Sequence, residues 1–140
     1  MRRIASRASQ PMSNRRKYLK RSTEFVVAVQ VDLDMDGFTY QKWGGTQRCK
    51  RGDWLVNNNG DLYTVDGDTF ARTYRSSGPG TYVKATPVWA EVAETVGAVR
   101  TKEGVTHYGP GDYLVYNEAD GRDGYAVERG EFERMYELVD

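Results

Sequence analysis

Gly-Asp-Trp-Leu-Val at residues 52–56 returns as Gly-Asp-Tyr-Leu-Val at residues 111–115, and this repetition governs the architecture that we predict. Two further matches follow in the same order. Tyr-Thr-Val at 63–65 returns as Tyr-Ala-Val, and the Phe and Tyr of residues 70–74 return four apart at 132–136. The offset grows from 59 to 62 residues, which indicates an insertion in the intervening turn. The sequence therefore predicts two degenerate copies of one module.

Each copy is predicted to be rich in β-strands. The Gly-Asp pair favours a tight turn, because Gly adopts an otherwise strained φ and Asp bonds nearby backbone N–H groups. A short apolar strand, a hairpin turn (residues 57–61 or 117–124) and a returning strand follow. The Phe and Tyr four apart suit one face of a short helix, which Asp68 is expected to begin in the first copy.

Residues 86–97 carry two conflicting signals. Thr86 as N-cap, Pro87 in the first turn and valines four apart favour a helix. The repeat, however, places this stretch opposite residues 25–29, a β-branched run typical of a strand. We favour the strand and keep the helix as the alternative.

The predicted fold class is α+β, with two tandem, mainly antiparallel β modules, each closed by a short helix. The expected bounds are a basic, disordered arm over 1–20, a first module over 21–75, a linker over 76–83 and a second module over 84–140. Each module is small for a self-sufficient core, so we expect the two to pack as a pseudo-symmetric pair. A cleft between them would be the natural ligand site.

The formal net charge is zero, but residues 1–21 hold eight Lys or Arg and no acidic residue. Such an arm could bind a polyanion, fold back on the acidic remainder or stay solvated. Met12 is a second candidate start, alongside Met1. No apolar run is long enough to span a membrane, and Cys49 is the only cysteine, so no internal disulfide forms. We expect a soluble, cytoplasmic protein with no membrane partner.

The second copy resembles a known family. Residues 103–108 and 111–115, followed by Phe132 and Tyr136, resemble the PGDYG group of small bacterial and phage proteins. The first copy is similar to a related short module of phage genomes. The resemblance covers roughly residues 20–139 and implies the cytoplasm of a bacterium or an infected bacterial cell. It brings no catalytic residues to carry over.

The chain departs from that pattern at residues 124–127. Gly-Tyr-Ala-Val stands there, where the family has an aromatic residue followed by Pro-Val. Any ligand contact that the resemblance would assign to this segment is therefore open.

Catalytic chemistry has little support in the residue types present. The only imidazole is His107 and the only thiol is Cys49, and the repeat places them at neighbouring positions of different copies. Nucleophilic catalysis needs a nucleophile, a base and an orienting group within reach. There is also no phosphate-binding or dinucleotide-binding glycine motif. We expect a protein that is not an enzyme.

Asp32, Asp34 and Asp36 precede a glycine, which is how a calcium-binding loop begins. The twelfth position of such a loop is Trp43 rather than a bidentate Glu, and no helix pattern comes before it. An acidic turn leading into a strand explains the motif without a metal. A weak Ca²⁺ site stays open, and no other cofactor is expected.

Four residues are weak candidates for ligand binding. Asp53 and Asp112 could share a cleft, although a structural role in the Gly-Asp turn explains both. Tyr82 and Tyr116 have no aromatic counterpart in the other copy, so we expect them on the surface. The aromatic residues that match between copies are expected in the core: Trp54, Phe70, Tyr74, Tyr113, Phe132 and Tyr136.

Two classes of function follow. The first is a binding or adaptor module that contacts a protein partner. The second is a protein that binds or sequesters a small anionic or nucleotide-like ligand between the copies. The acidic body argues against a broad nucleic-acid surface, so we do not expect nucleic acid as a partner.

Overall fold

The computed structural model describes residues 14–139, which form antiparallel β-sheets with two short helices. The elements in chain order are β1 (Arg16–Lys20), β2 (Val26–Gln30), β3 (Gly37–Lys42), β4 (Gly45–Lys50), β5 (Trp54–Asn58), β6 (Asp61–Val65), α1 (Gly67–Thr73), β7 (Tyr74–Gly78), β8 (Thr81–Lys84), β9 (Val88–Val92), β10 (Gly97–Arg100), β11 (Val105–Tyr108), β12 (Tyr113–Tyr116), β13 (Gly124–Val127), α2 (Arg129–Met135) and β14 (Tyr136–Leu138).

Two five-stranded sheets form the body of the protein. Sheet A has the strand order β6-β5-β2-β8-β7, and sheet B has the order β13-β12-β9-β1-β14. Two hairpins, β3-β4 and β10-β11, form separate two-stranded sheets. The prediction of a β-rich α+β fold with antiparallel strands is confirmed, and residues 86–97 contain the strand β9 rather than a helix.

Strand β1 lies in the sheet opposite to the one that the chain order suggests, whereas β8 pairs with β7, which directly precedes it. The strand β1 precedes all the strands of sheet A, yet it pairs with β9 and β14 in sheet B. The strand β8 pairs with β2 and β7, and it takes the inner position in sheet A that β1 takes in sheet B. Sheet B therefore receives one inner strand from the segment that precedes sheet A. We call this arrangement the strand exchange.

Two predicted boundaries are wrong, because strands lie where an arm and a linker were predicted. The last five residues of the arm predicted over 1–20 form β1, while residues 1–13 lie outside the described part of the chain. Most of the linker predicted over 76–83 belongs to the hairpin of β7 and β8, with Gly80 in its turn at a positive φ. Composition suggested a basic tail and a flexible linker because neither stretch shows a strong alternating pattern.

Each helix begins at a capping carboxylate. The side chain of Asp66 accepts a hydrogen bond from the Thr69 backbone N–H at 3.1 Å, so α1 begins two residues before the predicted Asp68. The side chain of Glu128 accepts from the Glu131 backbone N–H at 3.0 Å in the same way. These bonds satisfy N–H groups that the first helical turn leaves without a partner.

Three stacked aromatic rings form the centre of each core. Phe70 stacks on Trp54 and Tyr74, with ring centroids 4.2 and 4.6 Å apart. Phe132 stacks on Tyr113 and Tyr136 at 4.2 and 4.7 Å. Small apolar residues of the central strands complete the two cores, and the six aromatic residues predicted for the core all lie there.

Tyr82 belongs to the core as well, which corrects its prediction as a surface residue. Its ring meets Phe70 edge-on at 5.2 Å, as the ring of Tyr18 meets Phe132 at 4.9 Å. Tyr82 lies opposite Val26 in sheet A, and Tyr18 lies opposite Val88 in sheet B. Tyr82 in sheet A and Tyr18 in sheet B therefore take similar positions against their cores.

The two hairpins contact each other directly. Gln47 of β4 forms an antiparallel bridge with Gly104, in the turn of the β10-β11 hairpin, and the His107 backbone N–H donates to the Trp43 carbonyl oxygen at 3.0 Å. The buried Gln47 amide also donates to the Val105 carbonyl oxygen at 2.6 Å. The hairpins thus join the part of the chain that forms sheet A to the part that forms sheet B.

A search of the described residues finds no helix of the length and apolar character that crossing a membrane requires.

Candidate ligand cavity

A cavity of about 370 Å³ lies between sheets A and B. This volume falls at the small end of the range for sites that bind small molecules. Its walls come from both sheets, from both helices and from the β10-β11 hairpin. Its polar lining combines the lysines Lys20 and Lys84 with neutral groups and carboxylates: Asn58, Asn117, Tyr63, Tyr74, Tyr125, Tyr136, Asp61, Glu103, Asp112, Asp123, Glu128 and Glu131.

Lys84, at the end of β8, reaches from sheet A into sheet B. Its ammonium group donates to Asn117 Oδ1 at 2.8 Å and to the Tyr125 hydroxyl at 3.0 Å. Burial, followed by the charge of Lys20, lowers its pKa to about 7, and the charge of Asp123 acts in the opposite direction. No salt bridge joins Lys84 to a carboxylate within residues 14–139.

Lys20, at the end of β1, reaches from sheet B towards the same cavity. Its ammonium nitrogen lies 5.6 Å from the centre of the Tyr136 ring and 5.9 Å from that of Tyr74. Burial lowers its pKa to about 8, with Glu24 opposing this effect. Glu24 itself is paired with Arg134, so Lys20 also has no salt bridge in the described part of the chain.

Two tyrosine pairs line the cavity between the lysines. Tyr74 lies opposite Lys84 in sheet A, and Tyr136 lies opposite Lys20 in sheet B. Burial raises the pKa of Tyr63 to about 12 and raises the pKa of Tyr125 further still. Burial is also the main cause of the raised pKa of Tyr74 and Tyr136, followed by nearby tyrosine hydroxyls. These phenols therefore stay neutral donors at physiological pH.

Two buried asparagines, Asn58 and Asn117, also line the cavity. Asn117 is fully engaged, because its oxygen accepts from Lys84 and its nitrogen donates to Asp123 Oδ2 at 3.1 Å. The Asn58 nitrogen lies 3.3 Å from the Tyr63 hydroxyl and 3.2 Å from the sulfur of Met135. The Asn58 oxygen is buried and has no hydrogen-bond partner. A buried amide oxygen of this kind is costly unless a further group meets it.

Asp53 and Asp112 each hold the turn in which they lie. The Asp53 carboxylate is buried and accepts from the backbone N–H groups of Lys50 and Gly67 at 2.8 and 2.9 Å. The Asp112 carboxylate accepts from the Gly109 backbone N–H at 3.0 Å. Only Asp112 is among the residues that line the cavity. These bonds account for both carboxylates without a ligand.

Tyr116 lies on sheet B away from the cavity. Its hydroxyl donates to Glu91 Oε2 at 3.3 Å, and the Arg15 guanidinium lies 4.3 Å from the centre of its ring. Neither Tyr116 nor Tyr82 lines the cavity, so the structure does not bring together the two tyrosines predicted as ligand contacts.

The acidic loop predicted as a weak Ca²⁺ site is exposed. Arg51 lies 3.6 Å from the Asp32 carboxylate and 3.3 Å from that of Asp34. The backbone oxygen of Asp36 accepts from Arg48 at 3.3 Å. Across residues 14–139 no group of three or more His, Cys, Asp or Glu side chains is arranged to hold a metal ion.

Cys49 and His107 occupy different environments. Cys49 is buried in β4, and burial raises the pKa of its thiol, which disfavours the reactive thiolate. His107 is an exposed residue of β11 at the rim of the cavity.

Sequence reasoning missed both lysines and both asparagines of the cavity. Lys20 lay in the predicted arm, and Lys84 was the first residue of the predicted second module, next to the linker, so the repeat was never extended to them. A signal for the asparagines was present, because Asn58 and Asn117 each stand five residues after the Asp of a Gly-Asp pair. Because Asn at the end of a strand is typical of a turn, both residues were assigned to turns and their match was not used.

Comparison with protein-family models, curated proteins and solved structures finds no match to this chain. The resemblance to the PGDYG group therefore stays a prediction.

Proposed function

We propose that this chain is a binding protein that holds one small anionic ligand in the cavity between sheets A and B. The observation that carries the proposal is the pair of lysines, Lys20 and Lys84, which face one cavity without a salt bridge among the described residues. The binding involves no chemical step.

The energetics of a desolvated ammonium group favour an anion. Burial lowers the pKa of both lysines, which means that the surroundings disfavour their charged form. An anionic ligand would stabilise that form and make charge-assisted hydrogen bonds, which are stronger than neutral ones. Neutral phenols of Tyr63 and Tyr125 supply further donors, and the tyrosine rings offer flat apolar surface to the rest of the ligand.

The proposal includes the predicted pseudo-symmetric packing of two modules around the cavity. Matching registers support it, since Tyr74 faces Lys84 in one sheet and Tyr136 faces Lys20 in the other. In this arrangement the cavity residues form equivalent pairs from the two copies, in a protein that we place in the bacterial or phage-infected cytoplasm.

The test is calorimetric titration with nucleotides, cyclic nucleotides, sugar phosphates and dicarboxylates. We expect at least one of these anions to bind wild-type protein and Lys84→Met to weaken it by tenfold or more. Lys17→Met is the matched control, because Lys17 lies exposed on β1 and does not line the cavity. The proposal fails if no anion binds, or if the Lys84 and Lys17 variants bind equally well.

A second candidate, an adaptor for a protein partner, has one observation in its favour. The face of sheet A that points away from its core carries Val27, Val29, Leu55 and Leu62, which are between 40% and 59% exposed. Val29 and Leu55 are cross-strand neighbours, so the apolar surface is continuous there. Apolar surface of this kind can mark a protein interface.

The adaptor candidate is tested by affinity capture from bacterial lysate. A partner of sheet A should be retained by wild-type protein and by Lys84→Met but lost with Val29→Glu. Capture of the same proteins by all three variants would argue against this face as an interface.

A further inference from the structure

The side-chain nitrogen of Lys84 has two hydrogen-bond acceptors among the described residues. It donates to Asn117 Oδ1 at 2.8 Å and to the Tyr125 hydroxyl at 3.0 Å. An ammonium group has three N–H groups, so one of them would have no acceptor here, and a buried donor without an acceptor is costly. A neutral amine has two N–H groups and a lone pair. The two hydrogen bonds therefore suit the neutral amine and leave its lone pair unused.

Asn117 fixes the orientation of this amine. The Asn117 nitrogen donates to Asp123 Oδ2 at 3.1 Å, and an ionised carboxylate can only accept, so the amide oxygen must face Lys84. Asp123 in turn is paired with the Arg72 guanidinium at 3.4 Å. Lys84 is thus held by a neutral amide whose position depends on an ion pair, and no carboxylate neutralises it directly.

Lys20 supplies a second positive group in the same cavity. Its nitrogen lies 5.9 Å from the centre of the Tyr74 ring, and the nitrogen of Lys84 lies 6.0 Å from the same centre. Burial, followed by the charge of Lys20, lowers the pKa of Lys84 to about 7, so a large share of this amine is neutral at pH 7. A desolvated lysine beside another cationic group is a nucleophile towards carbonyl compounds.

The carboxylates of the cavity limit the charge of the ligand. Six of them line it, and each already contacts a cation or a backbone N–H among the described residues: Asp61, Glu103, Asp112, Asp123, Glu128 and Glu131. Their charges repel a ligand with several negative groups, because like charges brought close together are unfavourable. A compact acid with one carboxylate suits this balance and the volume of about 370 Å³.

We propose that Lys84 forms a reversible imine with a small oxo acid, a monocarboxylate with a ketone or aldehyde group, whose carboxylate is bound by Lys20. This inference goes beyond the proposed non-covalent binding and rests on the same cavity.

The reaction balances without an oxidant or a reductant. The lone pair of the Lys84 amine attacks the carbonyl carbon, and the electron pair of the C=O bond moves to the oxygen. One amine proton passes to that oxygen, which gives a carbinolamine. The hydroxyl group then leaves as water together with the second amine proton, and a C=N bond forms. Addition of water reverses these steps and releases the oxo acid unchanged.

The test is reductive trapping of the full chain at pH 7 with sodium cyanoborohydride and either pyruvate or levulinate, read by peptide mass spectrometry. The reductant converts an imine into a stable secondary amine, so the modified lysine is located in the wild-type protein itself. With at least one acid, Lys84 should be labelled ten times faster than Lys17, an exposed lysine of β1.

The role of Lys20 is measured by the ratio of Lys84 to Lys17 labelling. The methyl ester of the same acid keeps the carbonyl group and lacks the charge, so we expect this ratio to fall at least threefold. Lys20→Met should lower the ratio for the acid by a similar factor. Because Lys17 is labelled in the same sample, the ratio is independent of the intrinsic reactivity of each probe.

The outcomes separate this inference from the proposed function. No label on Lys84 with either acid, or equal labelling of Lys84 and Lys17, overturns the imine. Equal ratios for acid and ester overturn the recognition of the carboxylate. Calorimetric binding of an anion without labelling of Lys84 overturns the imine and leaves the proposed function intact.

Discussion

At the scale of single residues, the two lysines impose a cost on the unliganded fold. Each is an ammonium group that burial removes from water, and neither has a carboxylate partner within the described chain. A binding site that lowers the free energy of unfolding of the free protein can raise it again when the ligand binds, because a ligand that binds only the folded state stabilises it. The free energy of unfolding should therefore change with pH as these lysines titrate.

We predict that the free energy of unfolding rises between pH 7 and pH 10. The folded pKa of Lys84 is about 7 and its ordinary value is 10.5, so the unfolded chain binds more protons throughout this interval. Lys20 adds the same effect between about 8 and 10.5. Above pH 10 the trend reverses, because burial raises the pKa of Tyr63 and the unfolded chain loses its phenolic protons first.

Urea denaturation at pH 7 and pH 9.5 measures this rise. Lys84→Met should show a smaller rise than wild type, with the remainder due to Lys20. Lys17→Met should behave as wild type, because that side chain is exposed. Identical pH dependence in wild type and Lys84→Met would contradict the burial of this charge.

At the scale of elements, the contact between the hairpins depends on a glycine. A Cβ on Gly104 would overlap the carbonyl oxygen of Thr46, and it would lie 2.8 Å from the Gln47 side chain. We predict that Gly104→Ala costs about 1–3 kcal/mol of folding free energy, as overpacking does elsewhere. Gly109→Ala is the matched control, since a Cβ there meets no atom within 4 Å.

Denaturant unfolding of both alanine variants decides this prediction. Gly109→Ala should stay within about 0.5 kcal/mol of wild type, as surface substitutions usually do. An equally small change for Gly104→Ala would mean that the hairpins do not pack as closely as the structure shows.

The elements themselves could be predicted from sequence, whereas the pairing of two of them could not. Residues 52–56 and 111–115 specify a turn and a strand through nearest neighbours, and the structure has both in each copy. The partners of β1 are β9 and β14, so its residue Lys20 faces Tyr136. No local pattern encodes a pairing across more than a hundred residues, and the basic composition around Tyr18 concealed a core residue.

At the scale of the whole molecule, the strand exchange ties the two sheets together. Sheet A is built from the continuous segment 26–84, but sheet B needs β1 in addition to the segment 88–138. β1 lies between β9 and β14, and it is the strand partner of β14 in sheet B. It also brings Tyr18 to the core and Lys20 to the cavity.

We predict that removal of residues 1–22 unfolds sheet B and abolishes ligand binding, because β14 loses the strand it pairs with and β9 keeps only β12 as a neighbour. Addition of a synthetic peptide of residues 14–22 should restore the sheet. Amide NMR spectra of the truncated chain, recorded with increasing peptide, provide the measurement.

A circular permutant is the control for chain connectivity. Joining residue 139 to residue 14 and opening the chain after residue 22 keeps every strand pair, since the Val139 N–H already donates to the Lys17 carbonyl oxygen at 2.8 Å. This permutant should fold as wild type does. A truncated chain that is as stable as wild type would show that β1 is dispensable.

The strand exchange also sets a problem of timing for a nascent chain. When β7 has left the ribosome, β8 has not yet followed, so sheet A lacks this strand. Strand β1 has already been synthesised and has the same Tyr-x-Lys spacing as β8. Occupation of the β8 position by β1 would be a kinetic trap that must be undone before sheet B can close. Refolding should therefore include a slow phase, and at high concentration two chains could complete each other's sheets as a swapped dimer.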